Sequence, residues 1–118
     1  QDCSVCDCAN QWPADIFVSI HCNSAGNTSA QGTETLVHNM GGHAERLADC
    51  IQRQIVDSLD TVDRGLKERP ELTVLRATDM PAVLVELAFI SNEEDEALLR
   101  DRQDDFARAI ARGVTDYA

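Results

Sequence analysis

His21 and Glu86 are the side chains of this sequence best placed to do chemistry. His21 sits near the end of the β-branched, apolar run Asp15–Cys22 and is followed by the polar stretch Asn23-Ser24-Ala25. A neutral imidazole at that position can bind a metal or relay a proton. In layered sheets ligands gather outside the C-terminal ends of the strands. Position alone favours a histidine hydrogen-bonded to its own loop. Glu86 interrupts Pro81-Ala-Val-Leu-Val-Glu-Leu-Ala-Phe-Ile90, which is otherwise apolar. An ionised carboxylate there is costly unless it is paired, metal-bound or open to a cleft. Burial would also raise its pKa, which suits a general base or acid near neutral pH. A buried ion pair with Arg76 or Arg64 is the plain alternative.

The cysteines offer a second chemistry. Cys3, Cys6 and Cys8 form a Cys-x-x-Cys-x-Cys cluster, whose thiolates could ligate zinc or iron. No second cluster follows, and Cys22 and Cys50 sit alone inside apparent core elements. The simpler reading is buried or half-buried thiols on the last turns of a helix, with a disulfide between two of the three also open. Five cysteines leave at least one unpaired within the chain. His38 and His43 read as solvated positions at a strand end and a helix start. The acidic cluster Glu93–Glu96 reads as helix N-terminal charge preference rather than a calcium ligand run.

Strands and covering helices must hold His21 and Glu86, and the hydropathy pattern supplies both. Asp15–Cys22 reads as a buried strand with Ile16, Val18 and Ile20 on one face. Gly32–His38 alternates and reads as a second strand, Leu72–Leu75 as a short one, and Pro81–Ile90 as a longer one. Ala44, Leu47, Ala48, Ile51, Ile55 and Leu59 mark one face of an amphipathic helix. Asp63-Arg64-Gly65 and Pro70 read as a polar loop. Ser91-Asn-Glu-Glu94 carries a capping-box pattern that starts a short helix, and Phe106 to Val114 mark a last one. Alternating strands and helices, apolar on both faces, define an α/β, three-layer fold with a mostly parallel sheet flanked by helices. The chain opens on what reads as the tail of a helix. Residues 1–118 therefore read as the C-terminal part of a domain.

Composition sets the outer limits. The 118 residues allow one domain. Hydrophobic residues at 43% and charged residues at 26% are globular values and exclude a disordered or collagen-like chain. Ten Lys+Arg against 21 Asp+Glu give a net charge of -11, which repels phosphate backbones and argues against nucleic acid as a partner. No apolar run is long enough for a membrane span.

Asp15-Ile-Phe-Val-Ser-Ile-His-Cys-Asn-Ser-Ala25, Gly32-Thr-Glu34 and Asp63-Arg-Gly-Leu-Lys67 together resemble the zinc-dependent N-acetylmuramoyl-L-alanine amidases of bacterial cell-wall hydrolysis. Leu72-Thr-Val-Leu-Arg76 and Met80-Pro-Ala-Val-Leu-Val-Glu-Leu-Ala-Phe-Ile-Ser-Asn92 continue the match in order. The resemblance spans Asn10 to the C-terminus. It implies hydrolysis of the amide between N-acetylmuramic acid and L-alanine in peptidoglycan, in the cell envelope or outside the cell. It implies one Zn²⁺ held by two His and one Glu. His21 matches the second His ligand and Glu86 the catalytic Glu beside the metal-bound water, while Asn23 could orient the site or the substrate. The family's other His, from a Gly-His-Gly-Gly segment, and its Glu ligand have no counterpart in these residues. A catalytically silent fragment that only binds wall peptides or a partner is therefore the alternative. The acidic surface suits anionic wall polymers poorly, so targeting falls to a further module. Without its first strands the sheet would expose an edge, an invitation to homo-oligomers.

Overall fold

Strands that are apolar on both faces need helices above and below them, and the chain supplies helices for both. The computed structural model describes residues 4–118. Its elements run α1 (Ser4–Gln11), β1 (Phe17–Asn23), β2 (Thr33–Val37), α2 (His43–Leu59), β3 (Asp63–Glu68), α3 (Thr73–Arg76), β4 (Ala82–Phe89), α4 (Glu93–Asp101) and α5 (Gln103–Tyr117). The sheet order is β1-β4-β2-β3. β1 pairs parallel with β4 and β2 parallel with β3, while β2 and β4 run antiparallel. Two of the three pairings are thus parallel, in a mixed sheet.

The larger core lies between one face of the sheet and helices α2 and α5. Val37, Val83 and Val85 pack there against Leu47, Ile51, Ile55, Phe106 and Ile110. The other face packs Leu36, Ala82 and Leu84 against Leu72 and Leu75 around α3. Asn10 ties α1 to this side: its Nδ2 donates to the Ala77 carbonyl at 3.0 Å, and its Oδ1 accepts from the Asp79 amide at 2.8 Å.

Helix α5 approaches α2 closely at Gly113, where an added Cβ would lie 2.6 Å from Ile51 Cα. Gly113→Ala therefore trades a gain in helix propensity of about 1 kcal/mol against overpacking of about 1–3 kcal/mol. A net loss of about 0–2 kcal/mol, centred near 1, is expected as a lower urea midpoint. An unchanged midpoint would show that the two helices can part at no cost.

Several expectations are corrected. Asp63-Arg64-Gly65 is no loop but the start of β3, an edge strand whose polar side chains face water while its backbone pairs with β2. Leu72–Leu75 is no strand: α3 begins at Thr73 and seats Leu75, 4% exposed, on the sheet. Helix α4 is capped by Asn92, whose side chain accepts from the Asp95 amide, and not by Ser91. β1 is buried only in part, with Ile20 54% exposed, because β1 forms an edge of the sheet. Cys22 is exposed, not core, and Cys50 is half-buried. Cys6 is buried and Cys8 exposed, and neither forms a disulfide among the described residues; Cys3 lies outside them.

Candidate active site

The site is a row of polar groups running across the sheet on the face that carries α3. His21 of β1 is in register with Glu86 of β4, and Glu86 with Glu34 of β2. The row beneath it is Ser19, Leu84 and Leu36, the last two buried. Apolar side chains thus floor the site, and the polar ones stand toward the C-terminal ends of β1 and β4.

His21 is exposed, with Nε2 2.8 Å from Ser19 Oγ. A cleft of about 420 Å³ opens beside it, lined by Ser19, His21, Glu71, Leu72 and Leu84 among others. Glu86 takes neither Arg76 nor Arg64 as an ion-pair partner, and its Oε1 is buried with no hydrogen bond among the described residues. Burial, above all, pushes the Glu86 carboxyl above its ordinary range; His21 pulls it down and Glu34 pushes it further up. A half-buried carboxyl with an unpartnered oxygen and a raised pKa is primed to take up a proton.

Glu34 is the residue that sequence reasoning left without a role. It is 8% exposed, and one oxygen lies 3.4 Å from Arg64 Nε and 3.7 Å from Lys67 Nζ. Its other oxygen accepts from Asn23 Nδ2 at 3.3 Å. Asn23 therefore orients Glu34 from across the sheet, while its own Oδ1 accepts from the Ser24 amide at 2.9 Å. Unlike Glu86, Glu34 interrupts no apolar run, since polar Thr33 and Thr35 flank it.

A structural zinc site takes four protein ligands and a catalytic one three. Among the described residues no three His, Cys, Asp or Glu side chains gather to hold a metal. His21 and the neighbouring Glu86 are two candidate groups, fewer than the three protein ligands a catalytic zinc needs. His38 is half-buried with an unpartnered Nδ1, rather than solvated, and His43 is exposed.

The fold is a layered α/β domain with a His–carboxylate row toward the ends of its strands. The chain belongs to the N-acetylmuramoyl-L-alanine amidase family, whose model matches residues 4–116. YqiI of Bacillus subtilis (strain 168), a protein described as uncharacterized, is 47% identical over 113 residues, covering 92% of this chain and 53% of YqiI. The N-acetylmuramoyl-L-alanine amidase LytC of the same organism is 38% identical over 108 residues, which cover 88% of this chain and 22% of LytC. The catalytic domain of CwlV, an N-acetylmuramoyl-L-alanine amidase from Bacillus (Paenibacillus) polymyxa var. colistinus, superposes with a TM-score of 0.87 at 35% identity. That match covers 95% of this chain and 62% of the CwlV chain. The family and the layered fold expected from the sequence are the ones found.

Proposed function

We propose that this chain carries the His21–Glu86 part of an amidase site that cleaves the amide between N-acetylmuramic acid and L-alanine in peptidoglycan, in the cell envelope or outside the cell. The observation that carries the reading is the buried, unpartnered Glu86 Oε1 in register with His21. Glu86 takes the proton from the attacking water and returns it to the leaving amine. Glu34 keeps the carboxyl environment polar and braced, and the Leu84–Leu36 floor keeps water from beneath. Zinc dependence belongs to this proposal through the family, with His21 as the ligand offered among the described residues and two more needed beside it. Zinc held there would polarise the carbonyl and acidify water.

A second reading rests on the absence of a three-ligand group among the described residues: a silent domain that binds wall peptides without cutting them. Metal content by elemental analysis, run beside muropeptide cleavage, separates the two. Near-stoichiometric zinc lost in His21→Ala, with release of the L-alanine amine, supports the amidase. Zinc-free protein that binds a muramoyl peptide without cleaving it supports the silent domain. Protein that does neither overturns both.

Among the described residues the outer edge of β1 pairs with no other strand, and it carries the exposed Ile20. We infer that this edge pairs with a second copy, so sedimentation should give a mass above the 13.0 kDa of one chain. A monomer at all concentrations would end that inference. No helix among the described residues is long and apolar enough to cross a membrane.

A further inference from the structure

The polar row continues past Glu34 to two cations on β3, and their arrangement has a use beyond holding one carboxylate. We propose that Arg64 and Lys67 form an anion subsite that binds a carboxylate of the peptide attached to the scissile amide. The proposal rests on the amidase reading, since it takes a muramoyl peptide as the ligand.

Charge is the first argument. The chain carries a net charge of -11 and only ten Lys and Arg residues, so its surface at large repels anions. Arg53, Arg100, Arg102 and Arg108 are each paired with a carboxylate on their own or the adjoining helix. Arg64 and Lys67 instead stand together on the site face, and both turn toward a single oxygen of Glu34. Two cations thus meet one carboxylate, with Glu86 the next acid along the row. Neither contact is close: 3.4 Å and 3.7 Å exceed the 2.7–2.9 Å of a strong charge-assisted bond.

Orientation is the second. The Arg64 guanidinium lies over the Phe89 ring, 5.0 Å from its centroid. Nε faces Glu34, and Nη1 points to the Gln31 carbonyl at 3.5 Å. Nη2 has no partner among the described residues. Lys67 Nζ also donates to the Arg64 carbonyl, which holds the two residues together. The side chains are 37% and 36% exposed, accessible yet held from below. A guanidinium fixed by a ring and a carboxylate, with N–H groups to spare, is suited to grip a second carboxylate in the plane of its fork.

Distance selects the carboxylate. Arg64 lies two strands across from Glu86 in the order β4-β2-β3. Strands about 4.8 Å apart place it roughly 10 Å away, the reach of about three extended residues. The carboxylate bound would therefore belong to the stem two or three residues beyond the bond that is cut. The subsite also explains how so acidic a domain tolerates an anionic ligand.

The test is calorimetric titration with a synthetic muramoyl tripeptide, as the free acid and with every carboxyl amidated. Wild-type chain should bind the acid about tenfold more tightly than the amide, a difference that shrinks with added salt. The Arg64→Gln/Lys67→Gln double variant should bind both forms alike, at the affinity of the amide. Equal binding of acid and amide by the wild type overturns the subsite while leaving the amidase reading intact. So does an acid preference that survives in the double variant. Failure of the wild type to bind either form overturns the subsite together with the amidase reading.

Discussion

Replacing Asp95 with alanine should remove about 3 kcal/mol of folding stability, one of the largest losses available from a single polar residue here. Asp95 is 4% exposed, and its Oδ2 accepts from the Gly32 amide at 2.8 Å and the Phe89 amide at 2.9 Å. Its own amide donates to the Asn92 cap. One carboxylate thus joins the start of α4, the end of β4 and the entry to β2. Truncation strands two buried N–H groups, at about 1–3 kcal/mol each. The backbone at Gly32 is closely packed. Gly32 adopts φ +117, and even an added Cβ would lie 2.5 Å from the Val62 carbonyl. Urea unfolding measures the loss, against a total stability of about 5–15 kcal/mol for such a domain. Asp95→Asn keeps the volume and one acceptor, so it should lose about half as much. A midpoint unchanged by Asp95→Ala would mean that water or a backbone shift satisfies both amides. Because Gly32 precedes Thr33 and Glu34, the same substitution should also weaken the acid preference of the proposed subsite.

Sequence legibility followed how strongly each element depends on burial. Helices α2 and α5 were readable because their apolar faces recur at three and four residues and pack on one core. β4 was readable because both its faces are covered. β3 was not, because Asp63-Arg-Gly-Leu-Lys-Glu68 is an edge strand held by backbone pairing, and its polar side chains carry no alternating signal. α3 was misread because Leu72, Val74 and Leu75 have strand-like side chains, while tertiary packing on Leu84 and Leu36 fixes a helical turn.

The site divided in the same way. Glu86 stood out as a lone acid in an apolar strand. Glu34 did not, because the polar–apolar alternation of β2 suggests one wet face. In fact all five of its residues are buried, and Thr33 and Thr35 meet their polar needs inward. Thr33 Oγ1 donates to the Leu87 carbonyl, and Thr35 Oγ1 donates to Gln52 Oε1. Asp95 was hidden among Glu93, Glu94 and Glu96. Four acids at a helix start look alike until the fold buries one of them. Composition can place an acid near a helix dipole, but only packing separates the solvated acids from the one that holds the strands.

Glu86→Gln should move function and stability in opposite directions. Where hydrolysis is measured, removing the group that takes and returns the proton should slow cleavage by about 10²–10⁴-fold. Stability should rise instead. The folded protein holds the Glu86 carboxyl above the ordinary glutamate range, chiefly through burial. Protonated Glu86 is therefore compatible with the fold, and ionised Glu86 opposes it. Wild-type stability from this group is complete below about pH 4 and is lost as pH rises through the raised value in the folded state. A neutral glutamine never ionises, so the variant keeps what the wild type loses. The gain at pH 7 should be on the order of 1 kcal/mol, less than full burial would give because the carboxyl is partly open to solvent. Thermal melts of metal-free protein, with chelator present, at pH 4 and pH 7 read the effect directly. Wild type and variant should coincide at the lower pH and separate at the higher, the variant melting later. A variant that melts earlier at pH 7 would show that Glu86 has a stabilising partner when ionised. The unpartnered Oε1 would then no longer support its role as a proton acceptor.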